Sequence, residues 1–344
     1  MTIIYFALIL GITVFIHELG HFLWAKKAGV HVYEFSIGMG PKIFSFHRKN
    51  DETDYCIRLF PVGGFVSMAG ETEEETGVPK NKQLANKAWG WRFITISAGI
   101  IHNFLLAIFL FFVIGLFNGK VSRESFVAEL QEGYPASSST IQVGDEITGI
   151  NGKSLYSSDL LMLELQVNQG KEIDLNVKHQ NGTRENIHLA PMKEEVDGQE
   201  VYRYGFTLQN KVTKGLFPAI QFAFEKTISL TLQMIKIIGY LFTGVLSLNA
   251  LSGPVGIFNI VGETAKAGLL NLVYLTGYLS LNVGFMNFLP IPAMDGGRLF
   301  FLLIEKIKGS PVNQKVENTI HTVGFGLLMI LMLYITFNDI VKFF

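Results

Sequence analysis

Cysteine is almost absent from this 344-residue chain, with Cys56 its one copy. That excludes an intrachain disulfide and any cysteine-rich zinc module, so a metal held here must be bound by histidine and carboxylate. An excess charge of one sign is also missing: 28 Lys and Arg stand against 29 Asp and Glu, for a net charge of −1. No basic run of the kind phosphates attract is present, which removes nucleic acid from the expected partners. The N-terminus lacks the positive region and small-residue cleavage site of a secretory signal, and its apolar stretch continues, so it reads as a retained span. Apolar side chains are what the chain has in quantity, at 49% of residues with 29 Phe.

A bilayer takes about 20 helical residues to cross. Three stretches meet that length, from about Thr2 to Ala25, Phe93 to Phe117 and Thr319 to Phe337. A fourth, Leu269 to Leu289, is interrupted by Asn282 and Asn287 and then broken by Pro290 and Pro292. Proline removes a backbone donor, which lipid tolerates only where protein or a water-lined cavity receives the freed groups. The break therefore marks a candidate site. Lys26 and Lys27 end the first span, Lys87 and Arg92 precede the second, and Arg298, Lys306, Lys308 and Lys315 lie between the last two. By the positive-inside rule these clusters are cytoplasmic and both termini are extracytoplasmic. Four spans satisfy that parity and put residues 118–210 outside.

The outer segment changes character. Phe126–Leu130, Glu146–Ile150, Ile173–Val177 and Ile187–Leu189 read as short strands bounded by turn residues, with helical spacing from Leu160 to Val167. Gly133-Tyr134-Pro135-Ala136, Val143-Gly144-Asp145-Glu146-Ile147 and Ile150-Asn151-Gly152 resemble segments of bacterial PDZ domains. Such a domain binds a peptide as an added strand, or excludes bulky substrates sterically. On the cytoplasmic side, Val32–Phe46 and Tyr55–Met68 are rich in aromatic and β-branched residues and are joined by a polar turn, which predicts a hairpin apolar enough to dip into the membrane. Residues 211–265 include an apolar stretch, Phe217–Leu248, that carries Glu225, Lys226 and Lys236; this favours a helix lying along the outer interface over a fifth span.

The chemistry begins at His17-Glu18-Leu19-Gly20-His21. Histidines four apart share one face of a helix and can hold one metal ion, and the adjacent Glu18 can take a proton from metal-activated water. Ionisable groups inside an apolar span are costly to bury and are functional candidates by default. Catalytic zinc needs a third protein ligand. His102 is followed by Asn103, which suits hydrogen bonding; Asp339 lies near the outer end of the last span, and Glu263 belongs to the outer segment. Asp295 follows the proline-broken span in Pro290-Ile291-Pro292-Ala293-Met294-Asp295-Gly296-Gly297 and precedes Arg298. His21 is about 7 Å and His17 about 13 Å along a helix from Lys26, which puts the pair in the cytoplasmic leaflet, where Asp295 arrives if the break turns it inward.

HELGH, Gly99-Ile100-Ile101-His102-Asn103, Ser252-Gly253-Pro254-Val255-Gly256-Ile257 and Asp295-Gly296-Gly297 together resemble the site-2 protease family of intramembrane zinc metalloproteases, specifically its bacterial RseP/RasP type. The resemblance covers essentially the whole chain. It implies one zinc ion held by His17, His21 and Asp295, Glu18 as catalytic base, and Asn103, Asn282 and Asn287 as substrate or oxyanion contacts. It also implies that the Gly63-Gly64-Phe65-Val66 region is a membrane-re-entrant β segment. One PDZ-like domain fits here, where some relatives have two.

The expected architecture is a polytopic α-helical membrane protein with four transmembrane helices, a membrane-associated β-hairpin or sheet, and one extracytoplasmic PDZ-like α+β domain. Its expected divisions are 1–117, 118–210, 211–265 and 266–344. The expected function is zinc-dependent hydrolysis of peptide bonds in or near the transmembrane segments of single-span proteins, such as anti-sigma-factor-like regulators or remnant signal peptides. It is expected in the lipid of a bacterial inner membrane. Two rivals are a transporter or channel with a structural metal, and a PDZ-type scaffold with a dead site. Polar residues in spans also mark ion paths, but that rival leaves unexplained a Glu beside the first His of an i, i+4 pair.

Overall fold

The first apolar stretch forms α1 (Thr2–Lys27), and the computed structural model describes it within residues 1–71, 76–196 and 199–343. The other helices are α2 (Trp89–Asn118), α3 (Ser158–Val167), α4 (Leu216–Phe242), α5 (Pro254–Lys266), α6 (Leu269–Phe288), α7 (Asp295–Lys308) and α8 (Gln314–Phe343). Among the described residues, four helices are long and apolar enough to cross a membrane: α1, α2, α6 and α8. These are the four expected spans, and the chain is a polytopic membrane protein. The chain forms two compact units, Met1–Leu110 with Leu248–Phe344, and Phe111–Ser247.

In the first unit, α1 uses three faces. Ile9, with Tyr5 and Phe6 beside it, packs on Val261 of α5 and Leu272 and Leu275 of α6. Phe15, Leu19 and Phe22 lie against strands β1 (Val32–His47) and β2 (Asp54–Met68), where Val32, Phe35, Val66 and Met68 are buried. The third face carries His17, Gly20 and His21, and there α1 meets α2. A Cβ on Gly20 would lie 2.5 Å from the Ala98 carbonyl oxygen, so the helices touch backbone to backbone.

The predicted hairpin is present, but it is folded over on itself. Ser36 pairs with both Cys56 and Phe65, and Ile37 with both Ile57 and Gly64, while Phe44 pairs with Ile57. Each long strand thus bends into two segments, and the four lie side by side in the order 42–47, 54–58, 32–37, 64–68. Gly38, Gly40 and Gly63 make the bends, with φ of +86°, +85° and +86°. Phe44, Phe46, Leu59 and Phe60 remain exposed. At the polar turn, the Lys26 ammonium, 2.8 Å from Asp51, holds that carboxyl well below the usual carboxylate range.

α7 is amphipathic and lies on α2. Leu299 and Leu302 pack with Ile96 and Ile100, Trp89 Nε1 donates to the Leu302 carbonyl at 2.8 Å, and Arg92 pairs with Glu305 at 2.8 Å. Gly309, at φ +79°, ends the helix in the left-handed conformation that glycine favours.

The second unit holds the short strands. β3 (Lys120–Val121) pairs with β12 (Val212–Thr213), and β9 (Met192–Val196) with β10 (Gln199–Arg203). β4 (Ser125–Leu130), β5 (Glu146–Ile150), β6 (Lys153–Ser154), β7 (Ile173–Lys178), β8 (Arg184–Leu189) and β11 (Phe206–Gln209) form one sheet, ordered β11-β4-β5-β7-β8 with β6 on β5. Alternate residues of β7, Ile173, Leu175 and Val177, are buried with Val127, Ile150 and Leu161. Residues 211–265 contribute α4 to the second unit and α5 to the first. α5 packs with α1 and α6, whereas the charges of α4 engage the sheet domain: Lys226 meets Asp159 at 2.6 Å, Lys236 meets Glu164 at 2.7 Å, and Glu225 meets Lys120 at 3.0 Å. Buried carboxylates are retained where a cation pairs them.

Candidate metal centre

His17 and His21 are both buried on the α1 face that meets α2. Gly99 of α2 makes room for them, because a Cβ there would lie 2.8 Å from His17 Cε1, 2.9 Å from His17 Nδ1, and closer still to His21 Nε2. His21 Nδ1 donates to the Thr95 carbonyl at 2.9 Å, which leaves a lone pair on Nε2. His17 Nδ1 lies 3.3 Å from the side-chain amide of the fully buried Asn103. On both rings, Nδ1 is engaged by α2 and Nε2 points into the site.

Asp295, in the first turn of α7, completes the cluster. Its Oδ2 is 3.1 Å from His17 Nε2 and 3.2 Å from His21 Nε2, and the two Nε2 atoms are 3.2 Å apart. Four ligands at 2.0–2.1 Å around a tetrahedral zinc stand about 3.3 Å from one another. The three atoms therefore fit one face of such a tetrahedron and leave the fourth vertex open. Apart from those two ring nitrogens, buried Asp295 Oδ2 has no polar partner, and with their lone pairs turned towards it the three atoms form an acceptor cluster of the kind a cation satisfies. The glycines after Asp295 are required by close backbone approach: a Cβ on Gly296 would lie 2.6 Å from the Phe288 carbonyl oxygen, and one on Gly297 2.6 Å from that of Ile291.

The remaining predicted residues are placed as follows. Glu18 lies beside the sheet, with its Cγ 3.5 Å from where a Gly64 Cβ would be. Asn282 and Asn287 donate to carbonyls of their own helix, of Tyr278 at 2.9 Å and Val283 at 3.0 Å. His102 bonds the Ala98 carbonyl at 2.8 Å and stands outside the cluster. Asp339 accepts from the backbone N–H groups of Gly253 and Gly256, at 2.8 Å each, and so caps the start of α5. Sequence reasoning missed the steric role of Gly99 and the Thr95 carbonyl, both of which depend on how α1 meets α2.

A model of peptidase family M50 matches residues 5–331. The chain belongs to peptidase family M50, the site-2 proteases. It is 34% identical to the regulator of sigma-W protease RasP of Bacillus subtilis strain 168, over all of this chain and 99% of that protein. It is 32% identical to the zinc metalloprotease RasP of Geobacillus kaustophilus, over all of this chain and 98% of that one. The corresponding RasP of Bacillus licheniformis is also 32% identical, with 100% and 99% covered. This family member is an intramembrane zinc metalloprotease, as the HELGH motif and the resemblance predict; the transporter reading is not favoured.

Proposed function

We propose that His17, His21 and Asp295 hold the zinc, that Glu18 is the catalytic base, and that the bond cut lies within the cytoplasmic leaflet, in the transmembrane region of a single-span protein. The observation that carries this reading is the buried triangle of ligand atoms, with edges of 3.1–3.2 Å and, at one corner, a carboxylate oxygen that has no polar partner outside the triangle. When bound, zinc supplies Lewis acidity that brings the pKa of a water towards about 7 and polarises a carbonyl. Glu18 takes the proton from the attacking water and passes it to the leaving amine. Thr95 fixes the His21 ring through Nδ1. Asn103 fixes His17 once its amide is turned over: Nδ2 faces His17 Nδ1 at 3.3 Å, whereas a ring that ligates through Nε2 carries its proton on Nδ1 and needs the carbonyl oxygen there. Such a carbonyl is available, since Asn103 Oδ1 is buried with no hydrogen-bond partner. Asn282 and Asn287 are the proposed substrate contacts on α6.

A helical substrate hides its amides in i to i−4 bonds and must unwind before attack. Segment 64–68 is the edge of the four-segment sheet and passes Glu18 at Gly64, which supports its capture of the unwound stretch as an added strand. The sheet domain of the second unit is read as PDZ-like and extracytoplasmic. A cleft of about 340 Å³ lined by Leu165, Gln169, Tyr204 and Phe206, beside edge strand β11, supports peptide binding there. The B. subtilis relative is named for the regulation of sigma-W, and by that likeness the proposed substrate class is a membrane-bound regulator of a sigma factor.

Mass spectrometry of the products from a single-span substrate in proteoliposomes tests the reading. It predicts a cut in the cytoplasmic half of the span. Cuts confined to the outer ectodomain would overturn it.

A further inference from the structure

The proline break delivers Asp295 to the histidines only if the chain reverses sharply between Pro292 and Asp295, and it does so at an unfavourable residue. Ala293 has φ +72°, in the left-handed region that a side chain with a Cβ disfavours. Its backbone N–H donates to Nδ1 of His321, 28 residues on in α8, at 2.8 Å. The same ring lies against Gly297, two residues past Asp295, where an added Cβ would be 3.1 Å from His321 Cε1. One turn further along α8, Gly324 admits Pro292: a Cβ there would be 3.1 Å from Pro292 Cγ and closer to its Cβ. Phe301 of α7 packs on the His321 ring, with centroids 5.6 Å apart. Because Nδ1 accepts, the ring is neutral with its proton on Nε2, and Nε2 is buried with no partner. A histidine in an apolar helix, with one nitrogen orphaned and the other on a strained turn, is poorly explained by packing alone.

We propose that His321 is a positioning residue for the metal ligand Asp295: by accepting the Ala293 N–H it holds the left-handed turn that aims the carboxylate at His17 and His21. This rests on the reading of Asp295 as a zinc ligand. The role is one of geometry, and His321 itself stays off the metal.

Zinc affinity of the purified full-length protein in detergent, measured by competition with a chelator, tests it without reference to activity. Outer-shell partners of metal ligands are typically worth about ten- to a hundredfold in metal affinity, so His321→Phe, which keeps a ring but removes the acceptor, is expected to weaken zinc binding by at least about tenfold. Ala293→Gly in that background restores most of the loss, because glycine adopts positive φ without a tether. His321→Asn, which returns an acceptor oxygen near the Nδ1 position, stays within a few-fold of wild type. Wild-type affinity in His321→Phe overturns the proposal, and so does a loss that neither Ala293→Gly nor His321→Asn relieves. Asp295→Asn separates the two layers. If it binds zinc normally, the ligand reading falls and the positioning role with it; if it loses zinc while His321→Phe does not, only the positioning role falls.

Discussion

Gly99→Ala adds one methyl group, and the structure fixes where it goes. The new Cβ would stand 2.8 Å from His17 Cε1 and nearer to His21 Nε2. Restoring an ordinary 3.4 Å contact means moving the His17 ring by about 0.6 Å and the His21 ring by more, whereas metal–ligand distances tolerate only about 0.2 Å. The rings cannot retreat along α1, because Gly20 holds that helix against the Ala98 carbonyl. Separating α1 and α2 instead is core overpacking, at about 1–3 kcal/mol. Either way the ligand triangle opens, and we expect zinc affinity to fall roughly a hundredfold, at the upper end of outer-shell effects because the ligands themselves move. Metal content by mass spectrometry and chelator competition read the effect, alongside cleavage of a single-span substrate. Gly90→Ala is the control: it lies in the same helix with nothing within 4 Å of its added Cβ, and it should bind zinc as wild type does. If Gly99→Ala retains full zinc affinity and cleavage, the placement of the histidines against α2 is wrong.

Three further predictions follow from named contacts. Asn103→Leu removes the partner of His17 Nδ1 and should weaken zinc binding by about tenfold or more, with Asn103→Asp closer to wild type because it keeps an acceptor; equal loss in both would refute the orienting role. Asp339→Ala deletes two charge-assisted bonds at the start of α5 and should cost about 3 kcal/mol, read as a lower thermal midpoint in detergent, with Asp339→Asn milder; an unchanged midpoint would refute the cap. His179 lies 2.8 Å from Asp145 and 3.1 Å from Glu185, and the hydrogen bond it donates to Asp145, then the one it donates to Glu185, raises its pKa above the ordinary 6.5. A raised folded-state value stabilises below about pH 6.5 and loses that stabilisation as pH climbs through the raised value. The thermal midpoint of the sheet domain should therefore fall more between pH 6 and pH 9 in wild type than in His179→Gln, and parallel curves would contradict the assignment.

The spans were legible because length and apolarity are local properties, and α1, α2, α6 and α8 fall where the apolar runs do. The metal-ligating pair was legible because i, i+4 spacing on a helix is geometry that sequence carries directly. Asp295 could be reached by depth and elimination, but the turn that carries it puts Ala293 at a left-handed φ and pairs its N–H with His321, 28 residues on, and no window along the chain shows that conformation or that pairing. The folded-over β1–β2 sheet was hidden for a similar reason: each residue has a strand's preference, and the doubled pairing of Ser36 and Ile37 appears only in three dimensions. The charges of α4 were read as a mark of the membrane interface. Asp159 and Glu164, which they meet, lie some seventy residues away on α3, and no window along the chain contains both partners.

Glu18→Gln tests the central claim most directly, because it removes the proposed base and leaves all three proposed ligands in place. Zinc content and cleavage of a single-span substrate are measured on the same purified sample. The account predicts zinc near one per chain, with cleavage reduced by several orders of magnitude. Undiminished cleavage by a zinc-loaded Glu18→Gln protein would contradict it.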